Sequence, residues 1–183
     1  MDQYKADGHA PVSGSAVSVS TRPPAAVYAA GSLEFYGRVR SVDGDSIAVG
    51  MPDGEILTID VIPGQTDLAH NGHAMPVKGE LIKAYASARH DGSFAAVEIG
   101  RASRARRYNL ALATYRGITT GAVRGDRLLH LQVGLMTFTF PISASAALSD
   151  FDERAQSIEA GDHVAVEVEF DGTRGTAVAV MRG

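Results

Sequence analysis

The chain of 183 residues carries a formal net charge of −4, with 45% apolar residues, 21% charged residues and no cysteine. That is the balance of a globular protein, and the missing cysteine excludes disulfides, thiolate metal sites and a cysteine nucleophile while fitting a cytoplasmic location. No stretch approaches the roughly 18–20 apolar residues of a membrane-spanning helix, so no membrane partner is expected.

The chain opens with MDQYKADGHAPVSGSAVSVSTRPPAAVYAAG. An acid at position 2 and the lack of an apolar run of signal-peptide length argue against a secretory leader. Ser, Ala, Gly and Pro dominate, and Pro23-Pro24 discourages any regular element. Residues 1–32 are therefore expected to form a flexible N-terminal tail.

Beyond the tail the sequence repeats itself with a period near 81. SVDGDSIAV (41–49) aligns with AVRGDRLLH (122–130), matching Val42 to Val123, Gly44 to Gly125 and Asp45 to Asp126, with Ile47 facing Leu128. Gly79-Glu80 then aligns with Gly161-Asp162, Asp91-Gly92 with Asp171-Gly172, and Ala96-Val97 with Ala177-Val178. The matches keep their order with single-residue slips, as in an internal duplication.

In the first copy a strand surrounds Gly37–Val42, and Asp43-Gly44-Asp45 makes a tight turn where glycine accepts positive φ. A second strand follows, and a third carries Ile56, Leu57, Ile59 and Val61. The connection PGQTDLAHNGHAMPVKG is interrupted by Pro63, Gly64, Gly72 and Pro76, so it reads as a loop. Ile82, Ala84, Ala86 and Ala88 form the inward set of a fourth strand, and Ala95–Ile99 a fifth.

Residues 101–116, RASRARRYNLALATYR, hold five arginines and no acid. The connector proper, 101–114, suits either a helix, through the spacing of Tyr108, Leu112 and Tyr115, or a strand running into the second copy. That copy turns at Arg124-Gly125-Asp126. Its fourth strand is the clearest of all, with Val164, Val166, Val168 and Phe170 alternating with Ala165, Glu167 and Glu169. Here SASAALSDFDERAQSIEAG looks helical, with Ser149 or Asp150 as cap, Glu153 in the first turn and Gly161 past the end.

Three strands, a connection or helix, then two strands is the order of the OB-fold, a five-stranded Greek-key barrel. The chain resembles that superfamily across roughly 33–100 and 115–182. More loosely it resembles a bacterial family of small OB-like domains of unknown function, through Gly37-x-Val39-x-x-Val42-Asp43-Gly44, Gly79, Asp91-Gly92 and Ala96-x-x-Ile99. The second copy departs from that pattern, with Thr119 or Thr120 in the valine's place. The resemblance implies an all-β fold with one minor helix, in two tandem five-stranded OB-like Greek-key barrels at 33–100 and 115–183. It transfers no catalytic residue.

Charge directs the functional reading. Residues 35–100 hold five basic and nine acidic groups, and residues 117–183 the same numbers, so the positive excess lies between the barrels. Such a segment focuses a phosphate backbone, and arginine binds phosphate with two donors and stacks on bases. Alternatively the arginines are solvated, or pair with the acidic barrels. Candidate nucleic-acid contacts are Arg101, Arg104, Arg106, Arg107 and Arg116 for phosphates, with Tyr108 and Tyr115 as stacking rings. Tyr36, with Arg38 and Arg40 on the same strand face, is a further candidate. Phe138 and Phe140 read as core, since their repeat partners Leu57 and Ile59 are apolar.

His70, His73, Asp67 and His90 are too irregularly placed for a zinc site, and Asp150, Asp152 and Glu153 suit a helix start without catalysis. No nucleophile elbow, phosphate-binding glycine loop or metalloprotease motif occurs. The expectation is a non-catalytic binding protein without metal or small-molecule cofactor, its leading partner single-stranded DNA or RNA. The alternative is an adaptor or structural module meeting a protein partner, or its own copies, through barrel edges.

Overall fold

The computed structural model describes residues 29–102, 109–152 and 154–183. Ten strands account for most of them: β1 Ser32–Asp43, β2 Ser46–Gly50, β3 Ile56–Asp60, β4 Leu81–Ala88, β5 Phe94–Arg101, β6 Leu112–Thr119, β7 Leu128–Val133, β8 Met136–Ser149, β9 His163–Asp171 and β10 Arg174–Arg182. Short 3-10 turns occur at Ala69–Asn71, Asn109–Ala111 and Ala155–Ser157. No helix among the described residues is long and apolar enough to cross a membrane.

Each set of five strands pairs in a ring. In the first, β1 pairs with β2, β2 with β3, β3 with β5 in parallel, β5 with β4, and β4 with β1. In the second, β6, β7, β8, β10 and β9 repeat that order, with β8–β10 as the parallel pair and β9 returning to β6. This is the strand order of the OB-fold. The alternating residues read as inward are the core: Ile82, Ala84, Ala86 and Ala88 on β4, and Val164, Val166, Val168 and Phe170 on β9, are all buried.

The two rings share one sheet. Ser32, Leu33, Glu34 and Phe35 of β1 lie antiparallel to Arg116, Tyr115, Thr114 and Ala113 of β6. Gly37 and Gly117 occupy matching places, paired with Ile82 of β4 and Val164 of β9, so the copies correspond here at an offset of 80. At that offset Glu34 corresponds to Thr114, its own pairing partner, and Leu33 faces the counterpart of Phe35. The joint therefore has a local two-fold axis passing between Glu34 and Thr114. Turns reinforce it on both sides. Gly92 of the β4–β5 turn lies under Leu135 of the β7–β8 turn, and Gly54 of the β2–β3 turn lies under Thr173 of the β9–β10 turn.

Several expectations need correction. No α-helix forms among the described residues of 149–161. β8 runs on to Ser149, pairing Ala147, Leu148 and Ser149 in parallel with β10. Asp150 and Asp152 then adopt φ of 67° and 47°, conformations that end a strand rather than start a helix, and Phe151, Ala155 and Ile158 are buried beneath the turn. Sheet pairing and three buried anchors outweigh the local propensity of Ser and Ala. Glu153 lies outside the described residues, as do the tail's residues 1–28; Ala29 already pairs with Gly134. The register shows Leu129, not Leu128, in the place of Ile47, since Ile47 faces Ile59 and Leu129 faces Phe140. Arg127 absorbs the slip at φ 54°, while the expected turn glycine Gly125 does not adopt positive φ. The connection 62–79 is a loop, as read.

The close approach of neighbouring strands makes two glycines indispensable. A Cβ on Gly37 would overlap the Gly50 carbonyl oxygen, and one on Gly117 the Gln132 carbonyl oxygen, whereas Gly125 has open space. Gly37→Ala and Gly117→Ala are each expected to destabilise the fold by about 1–3 kcal/mol through overpacking, and Gly125→Ala to stay within about 0.5 kcal/mol, as read by urea unfolding.

Candidate functional site

The strand pairing lays β5, β4, β1, β6, β9 and β10 side by side across both rings. Their inward residues are core, so the intervening ones line an outer face. One row crosses it by register: Glu98 beside Tyr85, Tyr85 beside Glu34, Glu34 beside Thr114, and Thr114 beside Glu167. A neighbouring row places Lys83 beside Tyr36, and the other neighbour places Ser32 beside Arg116.

Glu34 organises the centre of this face. Lys83 Nζ lies 2.5 Å from its Oε1, and Arg116 Nη1 lies 3.6 Å from its Oε2. The Glu34 carboxylate, accepting from the ammonium, raises the Lys83 pKa against the opposing effect of burial. The Arg116 guanidinium also sits 5.8 Å from the centre of the Tyr85 ring, within cation–π range. Two depressions flank the Glu34–Lys83 pair. One, of about 130 Å³, is lined by Glu34, Lys83, Tyr85 and Glu98. The other, of about 180 Å³, includes Tyr36, Lys83, Leu112, Thr114 and Glu167.

Strand alternation carries Tyr36, Arg38 and Arg40 outward on β1, as expected, with both arginines exposed. Arg38 donates from Nη1 to the Gly79 carbonyl at 2.6 Å, and the Arg40 guanidinium lies across Gly50. Arg101 closes β5 beside Ile82 and donates from Nε to Glu80 at 2.6 Å. Burial pushes the Glu80 carboxyl up, but the Val77 N–H and Arg101 outweigh it and hold the pKa below the usual value. Arg38, Arg101 and Lys78 thus gather around Gly79-Glu80, where the chain leaves β5 at Ala102. Arg104, Arg106, Arg107 and Tyr108 lie outside the described residues.

Tyr115 is a correction. It is 1% exposed, inside the second ring, with ring centres 4.8 Å from Phe138 and 4.9 Å from Phe140. β6 turns Ala113 and Tyr115 inward and Thr114 and Arg116 outward, so the ring packs at a tilt against core aromatics and is not open to a ligand. Its hydroxyl has no hydrogen-bond partner among the described residues; burial, aided by Asp53, raises its pKa.

Sequence reasoning missed Glu34, Lys83, Tyr85, Glu98 and Glu167. The signal was present for three of them: once Ile82, Ala84 and Ala86 face inward on β4, Lys83 and Tyr85 must face outward, and the same alternation on β9 turns Glu167 outward. What sequence cannot give is the β1–β6 pairing that brings them beside Glu34 and Thr114. The outer faces of strands two and three, the usual ligand face of OB-folds, are poor in such groups. β2 and β3 present Ala48, Gly50, Thr58 and Asp60, and β7 and β8 present His130, Gln132, Thr137 and Thr139. His130 Nδ1 is taken up 3.0 Å from Thr139, and His70 Nδ1 lies 3.2 Å from Glu98.

No protein-family model matches the chain, and no curated protein matches it. Among solved structures it is similar to drosophila Unr CSD456, at 14% identity and a TM-score of 0.28 over 82% of this chain. The match spans 61% of that structure's chain.

Removing the unpartnered hydroxyl tests the placement of Tyr115. Tyr115→Phe is expected to leave stability unchanged or raise it by up to about 1 kcal/mol, in thermal or urea unfolding. A loss of stability would mean that the hydroxyl has a bonding partner.

Proposed function

We propose that this protein is a non-catalytic, cytoplasmic binder of single-stranded nucleic acid, holding its ligand on the outer face of the sheet that both rings share. The observation that carries this reading is the clustering of outward cations and rings along β1 and its neighbours. Tyr36, Arg38 and Arg40 follow one another on the same face of β1, while Arg101, paired with the inward Ile82, closes β5 at the end of the ring. Arg116 and Tyr85 extend the same face across the joint. Arginines supply phosphate contacts and tyrosines sequence-tolerant stacking, the two ingredients of single-strand binding. Arg104, Arg106, Arg107 and Tyr108 enter the reading through the sequence alone, as the continuation of the chain beyond Ala102.

An adaptor role has one observation in its favour. β3 pairs along its whole length with β2 but meets β5 only at Ile59 and Asp60, leaving the edge at Ile56, which is 60% exposed, open to a partner strand. Charge and aromatic placement favour nucleic acid.

The test is fluorescence anisotropy of a labelled single strand at about 50 and about 200 mM salt. Three phosphate contacts from Arg38, Arg40 and Arg116 give an expected log–log salt slope of about −2. Replacing Arg38 and Arg40 by Ala is expected to weaken binding to all sequences alike and flatten the slope by about 1.4. Absence of binding at the lower salt would end this reading and favour the adaptor.

A further inference from the structure

We infer that the two depressions beside Glu34 are base pockets selecting nucleobases that carry an exocyclic amino group over thymine and uracil; the inference rests on the binding reading above. Each depression combines one tyrosine with one carboxylate other than Glu34: Tyr85 with Glu98 in the first, Tyr36 with Glu167 in the second. Their volumes, about 130 and about 180 Å³, are those of niches for single small rings. The tyrosine offers a face to stack on, which any base accepts. The carboxylate discriminates, because an ionised Glu only accepts hydrogen bonds.

Cytosine offers its N4 amino group to such an acceptor, adenine N6, and guanine N2 with the neighbouring N1–H. Thymine and uracil present a lone N3–H between two carbonyl oxygens, which face the carboxylate as like partial charges. Carboxylate recognition of the cytosine amino group is the general pairing expected of Glu, and unstacked bases of a single strand expose that edge.

Placing acids on a polyanion's path requires nearby cations. Glu34, between the pockets, is paired with Lys83 and Arg116. Lys83 lines both depressions, and the Arg116 guanidinium lies 5.8 Å from the centre of the Tyr85 ring that borders the first. Tyr36 leads directly to Arg38 and Arg40 on the same strand face, giving a bound strand a phosphate track leaving the second pocket.

The experiment compares short labelled oligo(dC) and oligo(dT), two pyrimidines of like size, by anisotropy with the intact chain at neutral pH. Oligo(dC) is expected to bind at least about fivefold tighter, the low end for one discriminating contact. In the double variant Glu98→Gln, Glu167→Gln the preference is expected to fall toward parity, because an amide both donates and accepts, with the salt slope of oligo(dC) binding kept. Equal, salt-dependent binding of both oligomers by the unaltered protein overturns the pocket inference and leaves the binding reading standing. A preference that survives the double variant also overturns it. Binding of neither oligomer overturns both. In that case, capture of an Arg/Lys-rich peptide that the double variant loses would identify the niches as sites for basic side chains.

Discussion

Four backbone-paired residues on β1 and four on β6 decide what the rest of the molecule presents to solvent. A ring of five strands has no spare edge over its full length, yet each first strand here is longer than its own ring needs. The N-terminal half of β1 pairs with β4 on one side and β6 on the other, while its C-terminal half turns to β2. β6 divides itself likewise among β9, β1 and β7. Each copy thus covers the edge that the other would leave open, which is how a sheet avoids uncontrolled pairing. Antiparallel pairing about a two-fold axis is the contact an isologous dimer makes, and here two rings make it inside one chain.

Symmetry of the backbone with divergence of the side chains creates the face. At the offsets of the joint, Glu34 corresponds to Thr114, Tyr36 to Arg116, and Tyr85 to Glu167, in rows fixed by the same pairings. Identical residues on both sides of the axis would place like charges opposite one another. Because the copies differ, Glu34 is balanced by Lys83 and Arg116, and Arg116 finds the Tyr85 ring. Tyr36 and Glu167, in the places related to Arg116 and Tyr85, line one depression together.

The parts legible in sequence are those governed by burial. Alternation marked β4 and β9 because one face of each strand is core and the other is wet, and the repeat marked the ring order through turns such as Asp91-Gly92 and Asp171-Gly172, whose glycines both adopt positive φ. The helix expected after β8 failed for a non-local reason. Ala147–Ser149 have no local signal for strand, and only β10, arriving some thirty residues later, pairs them. Tyr115 failed differently: its place beside the arginines made it a stacking candidate, whereas the strand period groups it with the buried Ala113 and Gly117. The joint itself consists of backbone hydrogen bonds, which carry no residue preference. Its one trace in sequence is glycine, at Gly31 under the Arg116 carbonyl, where only hydrogen fits.

The arginines between the copies acquire a different meaning once the joint is known. Cations would be required between two bodies of like charge if nothing else held them, but strand pairing and two turn contacts already do so. Arg101 and Arg116 do have carboxylate partners, Glu80 and Glu34, yet both guanidinium groups remain about half exposed, at 59% and 44%. Ion pairs of that exposure contribute little to stability, on the order of 0–1 kcal/mol. A phosphate offers the same bidentate geometry with more charge, so exchanging a carboxylate for a phosphate costs the fold little and gains the ligand a contact. Arg38, held by a carbonyl and not a carboxylate, needs no such exchange. Its bond to Gly79 fixes the guanidinium while leaving it without a carboxylate partner among the described residues, which is the condition a phosphate-binding arginine requires.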